Sequence, residues 1–202
     1  MKIAIYGATG MIGSRLTAEA LSRGHEVTGI TRSGGALPAG ATAVRGDAGD
    51  ASLTKRAAAE ADVIVSAIGP SRTGGDRREF LAQVRNLVKT LGDARLLVVG
   101  GAGSLLAGGQ RLIDDPGFPE IYLAEARIGA ESLEYLRGLG EGPDWTYLSP
   151  APVIAPGQRT GAYKLAADSP AGESISAEDY AVALLDEIES PRHRRQRFTV
   201  AN

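Results

Sequence analysis

Three glycines near the start of the chain, Gly7, Gly10 and Gly13, stand three residues apart. They follow the apolar run Lys2–Tyr6, which is typical of a buried strand, and they open an amphipathic pattern typical of a helix. The first glycine permits a tight turn, the second lets the backbone approach a pyrophosphate, and the third lets the helix pack closely on the strand. Free N–H groups of the first helical turn then face the phosphates. This pattern predicts a dinucleotide site, and a glycine-rich turn without a ligand is the alternative.

The residues after the second predicted strand, Glu26–Thr31, indicate which dinucleotide is bound. About 20 residues past the glycines, an acidic side chain usually binds the ribose 2′-hydroxyl of NAD. No Asp or Glu stands there, and Arg32 and Ser33 follow the strand instead. A guanidinium and a hydroxyl suit the 2′-phosphate of NADP, which a carboxylate would repel. We therefore expect NADP(H) to be preferred over NAD(H), and a solvated loop arginine is the alternative.

Two aspartates follow the third predicted strand, Thr42–Arg45. Asp47 is the candidate for binding the adenine amino group of the dinucleotide, because an acidic residue after this strand can meet that group. Asp50 precedes a helical pattern over Ala51–Glu60 and is typical of an N-cap.

The elements that must position these residues alternate between strands and helices along the whole chain. This order predicts an α/β fold of the Rossmann type, a doubly wound parallel sheet with helices on both faces and a small C-terminal extension, in one domain over 1–202. Strands are predicted at 2–6, 26–31, 42–45, 62–68, 96–99, 145–148 and 198–200. Helices are predicted at 11–23, 51–60, 77–91, 122–139 and from 177 onward. We expect loops at 71–76, 105–119 and 153–172, and a basic surface segment at 192–197.

Composition excludes several classes of protein. The chain of 202 residues has a formal net charge of −2, so it lacks the basic field that attracts nucleic acids and anionic membranes. It has no cysteine, and His25 and His193 lie far apart, so neither a disulfide nor a metal site is expected. No apolar run approaches the ~20 residues of a membrane span, and no signal sequence is apparent. We expect a soluble cytoplasmic protein with a small-molecule partner, and monomer and homodimer both stay open.

Four segments together resemble the atypical short-chain dehydrogenase/reductase superfamily. They are Gly7-Ala8-Thr9-Gly10-Met11-Ile12-Gly13, Gly46-Asp47, Asp144-Trp145-Thr146-Tyr147-Leu148-Ser149-Pro150-Ala151 and Ser176-Ala177-Glu178-Asp179-Tyr180-Ala181. Within this superfamily the chain is similar to the bacterial NADH-flavin reductase group, which is related to biliverdin reductase B and to the NmrA-like proteins. The resemblance covers essentially the whole chain.

The resemblance implies a set of cofactor contacts along the carboxyl ends of the strands. In the adenosine and pyrophosphate half they are Gly7, Thr9, Gly10, Met11, Ile12, Gly13, Arg32, Ser33, Asp47 and Ala48. Farther along the cofactor they are Ala67, Ile68 and Gly69, and at the nicotinamide they are Gly101, Ser104, Pro150, Ala151 and Val153. Ser104 and Tyr122 are the candidate catalytic residues.

The chain departs from the superfamily at one catalytic position. Catalytic short-chain dehydrogenases use a tyrosine with a lysine four residues later, and the lysine lowers the pKa of the phenol for proton exchange. Here Tyr122 opens the corresponding helix, but Ala126 stands four residues later and Arg127 follows it. An aromatic residue that only lines the pocket is therefore the favoured interpretation of Tyr122.

Hydride transfer to a flavin or a quinone needs less from the protein than carbonyl or alcohol chemistry does. The cofactor carries the reaction, and the fold must hold it against a flat acceptor and exclude water. The sequence therefore favours an NADPH-dependent reductase whose acceptor is a flavin, including free flavin, or a quinone. A non-catalytic NADP(H) redox sensor is the alternative, and a nucleotide-sugar epimerase or a carbonyl reductase that uses Tyr122 is a third.

Overall fold

A central sheet organises the chain, which a computed structural model describes over residues 1–71 and 75–202. The strands of the described residues, in chain order, are β1 (Lys2–Tyr6), β2 (Glu26–Thr31), β3 (Thr42–Arg45), β4 (Val63–Ser66), β5 (Arg95–Val99), β6 (Leu106–Ala107), β7 (Gln110–Arg111), β8 (Trp145–Pro150), β9 (Val153–Ala155), β10 (Lys164–Ala166), β11 (Ser174–Ser176) and β12 (Gln196–Ala201). Eight of them form one sheet in the order β10-β12-β8-β5-β4-β1-β2-β3. All its neighbours pair in parallel except β10 with β12, so the doubly wound parallel sheet is confirmed.

Helices cover both faces of this sheet, as the sequence predicts. They are α1 (Met11–Ser22), α2 (Ala51–Glu60), α3 (Arg78–Thr90), α4 (Glu120–Arg137) and α5 (Ala177–Glu189), with a 3₁₀ turn at Leu112–Asp114. Apolar residues of α1 and α5 pack on one face, and those of α2, α3 and α4 pack on the other. In the part of the chain that the structure describes, no helix combines the length and apolar character needed to cross a membrane.

Local capping explains where two of the helices begin. The side chain of Asp50 accepts hydrogen bonds from the backbone N–H groups of Ser52 and Leu53, and the hydroxyl of Ser176 accepts one from Asp179. Each cap satisfies donors that the first helical turn leaves without partners. The N-cap predicted at Asp50 and the helix start predicted after Ser176 are therefore confirmed.

The strand order reverses between β1 and β4. The chain winds outward from β1 through β2 to β3, then returns to place β4 on the opposite side of β1. Ligands of open α/β sheets bind in the crevice at such a reversal, outside the carboxyl ends of the strands. This crevice is where the residues predicted to bind the cofactor should converge.

Two predicted loops prove to contain strands. The segment 105–119 holds the antiparallel pair β6 and β7, and the segment 153–172 holds β9 and β10. The partners of β9 and β10 are β11 and β12, which lie far along the chain, so no local pattern marks the pairing. The predicted loop over 71–76 lies partly outside the described residues.

Candidate functional site

The glycine-rich turn connects β1 to α1 in a conformation that needs glycine at two positions. Gly7 has a φ of +78°, and a Cβ added there would lie 2.6 Å from the carbonyl oxygen of Ala67 on the neighbouring strand connection. A Cβ added to Gly13 would lie 2.0 Å from the carbonyl oxygen of Gly7. Such separations are far inside van der Waals contact, so a side chain at either position would push α1 away from the sheet.

The start of α1 is open for an anion. Its N-cap is Gly10, which makes no side-chain capping hydrogen bond. The N–H groups of the first helical turn therefore have neither a helical acceptor nor a cap, and they add to the positive end of the helix dipole. A pyrophosphate fits this arrangement, because its oxygens can accept from these groups.

A cavity of about 280 Å³ lies beside this turn, at the reversal of strand order. Ten of the residues that the resemblance assigns to the cofactor line it: Gly7, Thr9, Gly10, Arg32, Ser33, Asp47, Ala48, Ala67, Ile68 and Gly69. Its size and lining suit the adenosine half of a dinucleotide, which needs apolar walls and a few placed polar groups. The structure thus brings together seven of the ten residues predicted for the adenosine and pyrophosphate half, with the three predicted farther along the cofactor.

Asp47 is held in place at the rim of this cavity by two donors, which make three hydrogen bonds to its carboxylate. Its carboxylate accepts from Nε2 of Gln83 at 3.1 and 3.3 Å and from the backbone N–H of Gly49 at 2.6 Å. Gln83 comes from α3 and is buried. Because the position of a carboxylate with several donors is well defined, Asp47 presents a fixed acceptor to the cavity.

Tyr6 at the end of β1 also lines the cavity, and sequence reasoning did not identify it as a site residue. Its hydroxyl is buried and has no hydrogen-bond partner among the described residues. Burial, with the nearby carboxylates of Asp50 and Asp47, raises its pKa well above the usual range. The phenol therefore stays protonated and is a free donor at the cavity. Glu79, Phe80 and Gln83 of α3 were missed as well, and no local signal marks them.

Arg32 is loosely held at the mouth of the cavity. Its side chain is 72% exposed, with Nε 3.9 Å from a carboxylate oxygen of Asp47 and Nη1 4.0 Å from one of Glu79. Exposed ion pairs at such distances contribute little, so the guanidinium can turn toward a ligand phosphate. Ser33 is exposed beside it.

The loop after β5, which is predicted to lie at the nicotinamide, packs on Tyr147 of β8. A Cβ added to Gly100 would lie 2.0 Å from Cε1 of Tyr147, so the ring supports this loop from beneath. The Tyr147 hydroxyl accepts from the N–H of Gly101 at 3.2 Å and donates to the carbonyl of Gly129 at 3.1 Å. Burial raises the pKa of this phenol, and its two hydrogen bonds to the backbone make Tyr147 a support for the loop.

The same loop contacts α4 at Ala126, the position where the catalytic pair of a short-chain dehydrogenase would carry its lysine. A Cβ added to Gly103 would lie 2.9 Å from the Cβ of Ala126, so the loop and α4 touch at this point. Tyr122 lies one turn earlier on α4 and is 53% exposed. No lysine stands four residues after Tyr122, so the side chain that would lower the pKa of a catalytic phenol is absent at this position.

Ser104 ends this loop and contacts a cation that sequence reasoning placed on the surface. Its hydroxyl accepts from Nη1 of Arg197 at 3.4 Å. The expectation that 192–197 is a surface segment is wrong for Arg197, whose side chain is 1% exposed. It lies on β12 between β8 and β10, where its neighbours cover it.

The remaining predicted residues lie at the same edge of the sheet, outside the lining of the cavity. Met11, Ile12 and Gly13 form the first turn of α1, and Gly101 follows β5. Pro150 and Ala151 are buried, with Ala151 in the apolar core, whereas Val153 is exposed. Their contacts with a cofactor stay predictions, as do the catalytic roles of Ser104 and Tyr122.

The sequence comparison agrees with this geometry. A profile of an NAD(P)H-binding family matches residues 7–191. The chain belongs to this family. Among its relatives, the uncharacterized protein YwnB of Bacillus subtilis is 40% identical over 214 aligned positions, which cover 100% of this chain and 99% of YwnB.

Solved structures of similar proteins share the fold. A "putative exported protein" from Burkholderia pseudomallei is 42% identical with a TM-score of 0.89, and 100% of each chain is covered. A "putative NADH-flavin reductase" from Streptococcus pneumoniae is 33% identical with a TM-score of 0.88, covering 100% of this chain and 99% of the other. The resemblance to the bacterial NADH-flavin reductase group is thus confirmed.

The residues of this NAD(P)H-binding protein fit a nicotinamide dinucleotide. The uncapped start of α1 supplies donors for phosphates, Asp47 supplies a fixed acceptor, and the orphan hydroxyl of Tyr6 supplies a donor. Among residues 1–71 and 75–202, the Tyr6 hydroxyl has no hydrogen-bond partner and the start of α1 has no side-chain cap. A ligand of this chemistry would satisfy them together.

Proposed function

We propose that this protein is an NADPH-dependent reductase that delivers a hydride to a flavin or quinone acceptor. The observation that carries the proposal is a cavity that suits the adenosine half of a dinucleotide beside the uncapped start of α1, together with alanine instead of lysine four residues after Tyr122. When bound, the reduced nicotinamide supplies the hydride, and the acceptor needs only a proton from solvent. The NADH-flavin reductase name of the Streptococcus relative is consistent with this chemistry.

Exposed apolar side chains at the carboxyl edge of the sheet favour an apolar acceptor. Ile121 and Tyr122 at the start of α4, Met11 at the start of α1 and Val153 after β8 are all exposed. Each lies at the carboxyl ends of the strands, where the nicotinamide half of a dinucleotide would extend. Exposed apolar side chains near a cofactor site favour a flat, apolar substrate over a sugar.

The preference for NADPH over NADH rests on Arg32. Of the described residues that line the cavity, Arg32 is the one that carries a positive charge, and its ion pairs with Asp47 and Glu79 are long. A 2′-phosphate would replace these weak contacts with charge-assisted hydrogen bonds. The cytoplasmic location, a small-molecule partner and the absence of nucleic-acid and membrane partners are part of the same proposal.

NADPH oxidation by the purified protein tests the proposal. The experiment follows nicotinamide absorbance with FMN and, separately, with 2-methyl-1,4-naphthoquinone as acceptor, and it repeats each series with NADH. We expect turnover that saturates in both substrates and a higher kcat/KM with NADPH. Tight NADPH binding without turnover would instead favour a redox sensor, which the missing catalytic pair supports equally well. Loss of turnover in Tyr122→Phe would favour an epimerase or carbonyl reductase.

A further inference from the structure

A buried arginine lies behind two serines at the carboxyl ends of β5 and β8. Nε of Arg197 donates to a carboxylate oxygen of Asp168 at 2.8 Å, and Nη2 bonds to the same carboxylate. Nη1 points the other way and lies 3.4 Å from the hydroxyl oxygens of both Ser104 and Ser149. Since a guanidinium can only donate, both serine oxygens act as acceptors here.

The protons of these two hydroxyls are available. Ser104 and Ser149 are both buried. Neither hydroxyl donates a hydrogen bond to any of residues 1–71 or 75–202. A buried donor without an acceptor costs free energy, so a ligand oxygen that accepts from it gains a favourable contact.

Arg197 places a positive charge near this edge of the sheet, where α4 carries no catalytic lysine. Position 126 carries alanine, whose Cβ lies close to Gly103. Arg197 instead approaches from β12 and reaches the end of the same loop. A permanent charge therefore lies one hydroxyl away from the edge of the sheet where an acceptor would bind.

We propose that Arg197 and the hydroxyls of Ser104 and Ser149 form a donor site for a conjugated carbonyl oxygen of the acceptor, in which Arg197 is the positioning residue. The inference rests on the proposed function. As the acceptor gains a hydride at a ring atom, its π electrons move to this oxygen, which becomes an enolate and is then neutralised by a solvent proton. The nicotinamide is oxidised by two electrons. Donors fixed before the reaction stabilise such a developing charge strongly.

Three variants and one control test this assignment. Ser104→Ala removes a donor, Arg197→Met removes the cation, and Arg197→Lys keeps the charge. Arg137→Met is the control, because Arg137 bonds to the same carboxylate of Asp168 at 2.7 Å but contacts neither serine. With NADPH and 2-methyl-1,4-naphthoquinone, we expect Ser104→Ala and Arg197→Met to lower kcat about 10- to 100-fold, since the first removes a donor to the developing charge and the second removes the cation that holds and polarises both hydroxyls. Arg197→Lys should recover part of the loss.

The expected pattern separates this role from a structural one. Ser104→Ala should leave the melting temperature and the Kd for NADPH unchanged, and the double variant Ser104→Ala/Arg197→Met should be no slower than Arg197→Met alone. Arg137→Met should keep the kcat of the parent. If Arg197→Met does not fold, the kcat values of Ser104→Ala and Ser149→Ala decide between the donor site and a structural role. A kcat for both serine variants within twofold of the parent would overturn the inference.

A binding measurement gives a readout that does not depend on turnover. 2-Hydroxy-1,4-naphthoquinone ionises to a stable enolate, and its visible absorbance reports binding. Its Kd in the NADP-saturated protein should rise about tenfold in Ser104→Ala and stay constant in Arg137→Met. Equal affinity in all variants would contradict the donor site. Absence of turnover in the parent, with the affinity difference retained, would instead contradict the proposed function alone.

Discussion

Gly103 and Ala126 touch so closely that a Cβ on the glycine would lie 2.9 Å from the Cβ of the alanine. The contact joins the loop after β5 to the first turns of α4. Ser104 follows Gly103 directly in this loop, and Ala126 stands where a tyrosine–lysine pair with Tyr122 would need a lysine. The chemistry available at this edge of the sheet therefore depends on hydroxyl donors and a cation from β12.

The first prediction concerns this contact. Gly103→Ala should lower the free energy of unfolding by about 1–3 kcal/mol, because the new methyl group would also lie 2.4 Å from Cγ2 of Ile113. Gly101→Ala is the matched control in the same loop, since a Cβ there meets nothing within 4 Å. Urea unfolding of both variants measures the difference, and equal losses would show that the contact does not constrain the loop.

The second prediction concerns the selection of the dinucleotide. Arg32→Asp should reduce the affinity for NADPH about tenfold or more relative to NADH, because it replaces a donor to the 2′-phosphate with a repelling charge. Glu79→Gln should act in the opposite direction, since it removes a carboxylate 4.0 Å from the same guanidinium. Fluorescence titration at low ionic strength measures both ratios. Unchanged ratios in both variants would contradict the role of Arg32.

The third prediction concerns the adenine end of the cavity. Gln83→Leu should weaken NADPH binding about tenfold, because Asp47 loses the amide that fixes it 3.1 Å away and no longer presents a defined acceptor to the adenine amino group. The analogue of NADPH with hypoxanthine in place of adenine lacks that amino group and should lose no affinity. If both ligands are weakened equally, Gln83 supports the fold of the cavity and not recognition of the base.

The fourth prediction concerns stability at low pH. Burial tends to raise the pKa of Asp179, but hydrogen bonds from Thr160, Gly161 and Asn202 outweigh it and hold the pKa below the usual range. The folded state therefore binds this proton less readily than the unfolded state. Its contribution is present above the unfolded pKa of about 4 and is lost as the pH falls through the folded value.

The variant Asp179→Asn tests this direction of the pH dependence of stability. At pH 7 the variant should be less stable by about 1–3 kcal/mol, since the carboxylate accepts from two backbone N–H groups, each at 2.8 Å. Between pH 5 and pH 3 its stability should fall less steeply than that of the parent. Urea unfolding across this range provides the measurement, and parallel curves would show that Asp179 does not contribute to the acid dependence.

Where local sequence signals define a strand or a helix, its bounds could be predicted closely. The bounds predicted for β2, β3 and α2 agree with the structure, because the apolar pattern and the cap at Asp50 are local signals. β9 and β10 could not be predicted, since their stability comes from pairing with strands that follow far along the chain. Short strands at an edge carry too few residues for a periodic pattern to show.

The same distinction holds for the site. Gly7, Asp47 and Arg32 follow directly from the ends of the first three strands, so the motif locates them. Gln83 and Arg197 reach the site from a helix face and from the last strand, and only the folded sheet brings them there. Arg197 lies in a basic stretch that is typical of a surface, and no local feature distinguishes it from its neighbours.

Oxidation of NADPH by the purified protein with FMN and with 2-methyl-1,4-naphthoquinone tests the central claim most directly. The account predicts turnover that saturates in both NADPH and at least one of these acceptors, with a lower kcat/KM for NADH. No turnover with either acceptor, while NADPH still binds tightly, would contradict a reductase and favour a protein that senses the redox state of the dinucleotide.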